Sequence, residues 1–266
     1  MTLGKTVMPP LKLKIERPEA SKHLNMIIYG ASGAGKTMLA GTAIKCEETF
    51  PALFIDIDSG IASLDGWDID VVRPRSWNDI NDIYKAFLAG GTGYRSVIID
   101  SLTELQKKFS MGTILGELDK DQYNDLSVTN VPNRQDWMKS GEQMRKLIRA
   151  FRDLAYLEDE EDRVHVIMIA LEKQDDERRI TCPQLPGVLG PECAAYVDVL
   201  GRLSRMTVPN PDSDGEEDTL NKRHLLLDEF ENDHGIKYMA KSRMKHLGVQ
   251  LWNPTICDII GGTKID

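Results

Sequence analysis

Short apolar runs alternate with amphipathic segments through the first two thirds of the chain. Continuous apolar character over a short run is typical of strands buried on both faces of a parallel sheet. The predicted strands are 24–29, 52–58, 69–72, 97–101 and 164–170.

Helical segments separate these strands. Residues 76–88 carry apolar side chains at helical spacing, with Ser76 as a capping residue and glycines at 90 and 91 as a stop. Residues 144–155 form a second clear apolar helix face, flanked by arginines, and weaker patterns predict helices at 36–46 and 102–118. This alternation predicts an α/β fold with a doubly wound, mostly parallel sheet.

The pattern changes after residue 170. Residues 196–206, 224–230 and 236–241 are predicted to be consecutive strands joined by turns, which would add an antiparallel extension at one edge of the sheet. Residues 1–22 hold three prolines among alternating charges, so we expect an N-terminal arm before a single domain at 23–266. The polar stretch 119–135 is predicted to be a mobile loop.

Composition narrows the class of protein. A length of 266 residues with 41% hydrophobic content suits one large domain. The net charge of −9 means that any contact with nucleic acid needs a local basic patch. We found no apolar run of signal-peptide or transmembrane length, which predicts a soluble, cytoplasmic protein without a membrane partner.

The cysteines are widely spaced in sequence and have no histidines at ligand spacing. This spacing predicts neither a zinc site nor a disulfide framework. The residues are Cys46, Cys182, Cys193 and Cys257.

A glycine-rich segment stands between the first strand and the first helix and matches G-x-x-x-x-G-K-[ST] in full. Its glycines let the backbone N–H groups approach a phosphate chain at a helix N-terminus. Lys36 is predicted to reach the β- and γ-phosphates and Thr37 to bind Mg²⁺. ATP is favoured over GTP because no N-K-x-D motif is present. The predicted nucleotide-binding residues are Gly30, Ala31, Ser32, Gly33, Ala34, Gly35, Lys36, Thr37 and Met38.

Carboxylates at strand ends complete the predicted site. Asp100 ends an apolar strand and is predicted to hold Mg²⁺ together with Thr37. Asp58 ends another strand and is the candidate catalytic residue that orients the attacking water, with Asp56 as its rival. Either residue of that pair has a plainer explanation as a helix cap or turn carboxylate.

The order of these motifs resembles the core of RecA-type recombinase ATPases. In that family an acid at the position of Asp58 activates water, an Asp-Ser pair like Asp100-Ser101 closes the magnesium strand, and a polar residue after the next strand senses the γ-phosphate. Here either Glu172 or Gln174 stands near the sensor position. The whole chain resembles the phage-encoded, core-only RecA-like proteins of the single-strand-annealing recombinase group, through stretches 29–37, 99–103, 185–203 and 240–243.

Lys241 and Arg243 form a Lys-x-Arg pair near a late predicted strand end, so both cations are expected on one side of it. In RecA-like and KaiC-like assemblies such a pair acts as catalytic cations on the nucleotide of a neighbouring subunit, which implies a homo-oligomer, ring or filament. The plainer interpretation is a solvated basic strand end.

Two regions are candidate DNA contacts. One is the helix face with Arg145, Lys146, Arg149 and Arg152, although such faces are more often solvated surface. The other comprises loops 119–135 and 173–187, where the family binds single strands. The loop 173–187 has no aromatic residue, whereas Tyr123, Trp137 and Arg134 offer stacking and charge near the first loop.

The leading functional hypothesis is an ATP-hydrolysing phage DNA recombination protein. It would bind single-stranded DNA, promote annealing or strand pairing, and work with a single-strand-binding protein. A second hypothesis is an oligomeric P-loop switch or remodeller that acts on protein, which the acidic charge suits. A third, a small-molecule P-loop kinase, lacks an arginine-rich lid in the sequence.

Overall fold

The protein is built around a mixed sheet with a parallel centre. The computed structural model describes residues 23–117, 130–209 and 219–265. Six strands run parallel in the order β3-β2-β4-β5-β1-β7. Their bounds are β1 Asn25–Gly30, β2 Ala52–Asp56, β3 Asp70–Val72, β4 Ser96–Asp100, β5 His165–Asp175 and β7 Val199–Pro209.

An antiparallel extension continues the sheet beyond β7. Strand β8 (Thr219–Leu226) pairs with β7, and β12 (Gln250–Trp252) pairs with β8. The short β11 (Lys241–Ser242) pairs with the start of β7. A small side sheet is formed by β6 (Ile180–Pro183), β9 (Phe230–Glu231) and β10 (Lys237–Tyr238), attached through the far end of β5. The predicted antiparallel edge is thus present.

Helices cover both faces of the sheet. On one face α1 (Lys36–Gly41) and α7 (Ile256–Ile260) pack on a cluster that includes Ile28, Leu203 and Leu225. The other face carries the remaining helices over a cluster that includes Ile27 and Met168. Its helices are α2 (Trp77–Leu88), α3 (Leu102–Glu104), α4 (Gly112–Leu115), α5 (Arg134–Asp153) and α6 (Leu189–Tyr196).

Capping residues at the helix ends account for where the helices begin and end. Ser76 accepts from the backbone N–H of Asp79, whose carboxylate in turn accepts from the Ser76 N–H, so α2 begins with a capping box. Asn133 and Asp136 make the same arrangement at α5. A π-helical segment, Leu105–Met111, joins α3 to α4, and Gly116 ends that helical stretch with a φ of 72°.

Several predicted boundaries are wrong. Tyr196 ends α6 and is not in a strand. Strand β8 begins at Thr219, earlier than expected, because its first residues are exposed and show no alternation of apolar and polar side chains. Residues 236–241 form parts of two separate short strands. Residues 173–187 are largely the β5–β6 hairpin rather than a loop. The predicted arm at 1–22 and most of the predicted loop at 119–135 lie outside the described residues, and residues 134 and 135 begin α5.

The cysteine spacing predicts no disulfide framework, but the structure contains one disulfide. Cys46 and Cys257 are bonded, with their Cα atoms 5.3 Å apart and the two residues 211 positions apart in sequence. Cys46 follows the α1 region and Cys257 lies in α7, which packs beside it. Spacing in sequence cannot reveal such a pair, because the fold alone brings α7 back to α1. Cys182 and Cys193 are buried free thiols.

Candidate functional site

The glycine-rich loop joins β1 to α1, as the sequence predicts. Gly30 lies so close to β7 that a Cβ at this position would overlap the carbonyl oxygen of Leu203. Gly33 and Gly35 have φ values of 76° and 95°, a region that favours glycine. The loop can therefore curl tightly and lead directly into the N-terminus of α1 at Lys36.

Lys36 is buried within this loop, with 8% of its surface exposed. Its ammonium group donates to the carbonyl oxygens of Gly30 at 2.9 Å and Ala31 at 2.8 Å. Burial lowers the pKa of Lys36, and the charges of Asp100, Glu172 and Asp58 oppose that shift. The lysine thus faces a group of carboxylates at the mouth of the loop.

Thr37 and Asp100 meet across the site. The Thr37 hydroxyl donates to Asp100 Oδ2 at 2.6 Å, although β5 separates β4, which ends at Asp100, from β1, which leads into the loop. Burial raises the pKa of Asp100 to about 6, the bond from Thr37 lowers it, and the charge of Asp58 raises it. A hydroxyl and a carboxylate are hard oxygen ligands, so this pair fits Mg²⁺, which is bound by few protein oxygens beside the phosphates.

The two aspartates near the end of β2 differ in environment. Asp58 is exposed to the cavity and accepts from the Ser101 hydroxyl at 3.1 Å and from the Ser101 N–H at 3.2 Å. Asp56 is 3% exposed and accepts from Arg73 Nε at 3.0 Å. The geometry favours Asp58 over its rival as the carboxylate that contacts water in the site.

The two sensor candidates also differ. Glu172 acts electrostatically on Lys36 and accepts from Arg202 Nε at 3.0 Å. Gln174 is exposed and donates to Asp176 at 2.7 Å, in the part of β5 that pairs with β6. Glu172 is therefore the candidate beside the loop.

Lys36, Thr37, Asp58 and Asp100 line one cavity of about 260 Å³. Arg205 on β7, which sequence reasoning missed, lies in the same wall. In the sequence, the two-residue spacing of Leu203 and Arg205 places both side chains on one side of the strand. That spacing points to the site only when β7 is known to lie beside the loop. The lining residues are Ser32, Gly33, Gly35, Lys36, Thr37, Met38, Asp58, Ser63, Asp100, Ser101, Ile169, Leu171 and Arg205.

A second cavity, of about 210 Å³, lies between α2 and α5 on the face opposite α1. Its walls include Trp77, Tyr84, Leu147 and Phe151, and Lys146 is the one charged residue in its described lining. The described lining of this groove contains no carboxylate for metal binding or acid–base chemistry.

Lys241 and Arg243 lie away from the loop of their own chain. Strand β11 pairs with Val199 and Leu200 at the start of β7, whereas the loop follows the end of the parallel strand β1. Lys241 donates to the carbonyl of Ala194, and Arg243 pairs with Asp198 at 3.0 Å. Action on a neighbouring subunit's nucleotide stays a prediction.

The arginines of α5 are engaged within the chain. Arg145 pairs with Glu142 at 2.7 Å and with Glu192 at 2.9 Å. Arg149 stacks 4.6 Å above the Tyr196 ring, and Arg152 pairs with Asp153. Lys146 is exposed. These contacts give the arginine stripe a structural role without any ligand.

The start of α5 presents a different surface. Trp137 is 46% exposed and Met138 67%, with exposed Val131 and Arg134 close in sequence. Tyr123, the other predicted stacking residue, lies outside the described residues. Exposed aromatic and basic side chains thus lie together at one helix start, and their contact with DNA stays a prediction.

A mostly parallel α/β sheet whose first strand leads into a phosphate-binding loop, with Lys36, Thr37 and Asp100 converging beside it, defines a P-loop NTPase. Residues 22–244 match the family model AAA_24, described as an AAA domain. The chain therefore belongs to this AAA-type family of ATP-binding P-loop proteins. No curated protein matches the chain. Among the described residues, no helix has the length and apolar character needed to cross a membrane.

Proposed function

We propose that the protein is a Mg²⁺-dependent ATP hydrolase. The observation that carries this proposal is the convergence of Lys36, Thr37, Asp58 and Asp100 on one cavity. Thr37 and Asp100 would hold the Mg²⁺ ion, which neutralises charge on the phosphates when bound. Lys36, now bonded to loop carbonyls, would turn to the β- and γ-phosphates.

Asp58 is the proposed water-orienting residue. Ser101 donates to its carboxylate through both the hydroxyl and the backbone N–H, which fixes its direction. A carboxylate has about four lone-pair positions, so it keeps acceptor capacity for a water proton. Asp58 acts here by positioning the attacking water relative to the terminal phosphate.

For the biological role, we propose a phage-encoded, RecA-like DNA recombination protein. It would bind single-stranded DNA and promote annealing or strand pairing. The Asp100-Ser101 pair that ends β4 supports this assignment, as do Trp137, Met138 and Arg134 at the start of α5. A homo-oligomer and a single-strand-binding protein are the proposed partners. The residues Lys241 and Arg243 would act between subunits.

The alternative is an oligomeric ATPase that acts on protein. Two observations favour it: the net charge of −9, and the intramolecular pairing of Arg145 and Arg152 on the surface that otherwise suits DNA. On this alternative the apolar residues at the start of α5, Val131 and Met138 among them, would contact a protein partner.

Measuring ATP hydrolysis with and without single-stranded DNA, at low and at moderate salt, tests both the ATPase activity and the role in DNA recombination. A recombinase is expected to be stimulated by DNA, and the stimulation should fade with salt because phosphate contacts release counterions. Trp137→Ala should reduce that stimulation, whereas Phe50→Ala, which removes an exposed aromatic just before β2, should not. Hydrolysis without any DNA response or binding favours the protein-directed ATPase, and absence of hydrolysis contradicts the enzyme assignment.

A further inference from the structure

Two arginines face each other across the hairpin next to the phosphate-binding loop. Arg205 on β7 and Arg223 on β8 are direct partners in the antiparallel register. Leu203 and Leu225 form the next pair on the same face of the two strands. Both leucines pack in the apolar cluster that also holds residues of α1. Arg205 and Arg223 therefore lie on the face of the sheet from which the loop and α1 rise.

Both side chains reach the loop. Arg205 is part of the wall that holds Lys36, Asp58 and Asp100. Arg223 lies beside Gly35: a Cβ at that glycine would be 3.0 Å from Arg223 Cδ and 3.7 Å from Nη1. The guanidinium of Arg223 is therefore next to the backbone that turns into α1.

Neither arginine is neutralised within the ranges 23–117, 130–209 and 219–265. No carboxylate there forms an ion pair with Arg205 or Arg223, whereas Arg202 on the same hairpin is paired with Glu172. Like charges placed directly opposite each other in a sheet are destabilising. An anion between the two guanidinium groups would remove that cost and form charge-assisted hydrogen bonds.

The backbone around Arg223 is held in place by Asn253. The Arg223 N–H donates to Asn253 Oδ1 at 2.9 Å, and the Asn253 N–H donates to the Arg223 carbonyl at 2.7 Å. Asn253 has a φ of 44°, a conformation that asparagine tolerates better than most residues. This reciprocal pair fixes β8 against the end of β12, so Arg223 projects from a defined backbone position.

We propose that Arg205 and Arg223 form a cis-acting clamp on the phosphate chain of the nucleotide. This inference rests on the proposed nucleotide binding at Lys36 and adds two cations from the same chain. It differs from the role of Lys241 and Arg243, which concerns the nucleotide of a neighbouring subunit. The ligand class is a nucleoside polyphosphate, and both arginines bind its anionic oxygens.

Binding titrations with Mg-ATP and Mg-ADP test the clamp in Arg205→Ala and Arg223→Ala. Each variant is expected to weaken Mg-ATP binding by about tenfold or more, since it removes a charge-assisted hydrogen bond to the phosphates. A loss for both nucleotides assigns the contact to the α- or β-phosphate, and a loss for ATP alone assigns it to the γ-phosphate. Arg223→Lys retains a cation and is expected to bind more tightly than Arg223→Ala.

The matched control is Lys222→Ala, which removes a cation from the neighbouring position of β8 that faces the other side of the sheet. Its affinity for Mg-ATP should equal that of the wild type. Unchanged affinity in both arginine variants, with binding lost in Lys36→Ala, overturns the clamp and leaves the proposed function intact. An equal loss in Lys222→Ala also overturns it, because the effect is then general surface charge. Wild-type protein that binds no nucleotide overturns both proposals.

Discussion

The Thr37 hydroxyl donates to the Asp100 carboxylate across 2.6 Å, which connects the first turn of α1 to the end of β4. The two residues are 63 positions apart in sequence, and β5 lies between β4 and β1, the strand that leads into α1. Because both oxygens already point at the same small volume, little reorganisation is needed for a cation to be bound between them and the phosphates.

Asp100→Asn is therefore expected to abolish Mg²⁺-dependent hydrolysis while the protein still binds nucleotide. The amide can accept from Thr37, so the contact and the fold should survive, but the negative charge that attracts the cation is lost. Hydrolysis measured over a Mg²⁺ titration checks this expectation. Wild-type Mg²⁺ dependence in the variant would show that another residue holds the ion.

Lys36→Ala is expected to weaken ATP binding by at least about tenfold, because it removes a charge-assisted contact to the phosphates. Among the described residues, the hydrogen bonds of the Lys36 ammonium go to carbonyls of its own loop, so thermal unfolding should change little. Nucleotide titration together with circular dichroism separates the two effects. Normal binding by a folded variant would contradict the site assignment.

The variants Asp58→Asn and Asp56→Asn distinguish a catalytic carboxylate from one that stabilises the fold. Asp58 is exposed to the cavity, so its amide variant should bind ATP normally and lose about 100-fold or more in turnover. Asp56 is buried and paired with Arg73, so its variant should retain turnover and lose about 1–3 kcal/mol of stability. Single-turnover hydrolysis and urea unfolding measure the two quantities. The reverse pattern would make Asp56 the catalytic carboxylate.

The local parts of the site could be predicted from the sequence. The glycines from Gly30 to Gly35 and the following Lys36 and Thr37 identify the loop, and Asp100 ends a short apolar run that predicts a buried strand. The choice between Asp58 and Asp56 required the structure, because only burial and the bond to Arg73 distinguish them.

The long-range parts could not be predicted. Arg205 and Arg223 become part of the site through the register of β7 and β8, and the first half of β8 has no apolar pattern from which to fix that register. The disulfide of Cys46 with Cys257 depends on α7 returning to α1 across most of the chain. In both cases tertiary packing, rather than local preference, decides which residues meet.

Lys241→Ala combined with Arg243→Ala is expected to suppress hydrolysis and leave ATP binding by the monomer intact, because these cations lie away from their own loop. The double variant loses the ion pair between Arg243 and Asp198. Because the Arg243 side chain is more than half exposed, this pair contributes about 1 kcal/mol or less to the free energy of unfolding. Mixing it with Lys36→Ala protein should partly restore turnover if the cations act between subunits. Absence of rescue by two folded variants would favour a site contained in one chain.

His165 predicts a pH dependence of stability. The side chain is 3% exposed, and its Nδ1 accepts from the Leu24 N–H at 2.9 Å. Burial lowers the pKa of His165 to about 3, and the nearby His23 adds to the shift. Because the folded protein keeps this ring neutral while an unfolded chain protonates it near pH 6.5, stability should fall as the pH drops from about 6.5 towards 3.

The expected slope from this residue is about 1.4 kcal/mol for each pH unit below about 6. His165→Asn provides the matched control, since an amide oxygen can accept from Leu24 and does not titrate. Urea unfolding from about pH 7 to pH 4 should give a steeper fall for the wild type than for the variant, because both share every other titrating group. Parallel pH profiles would mean that His165 is protonated in the folded protein as readily as in the unfolded chain.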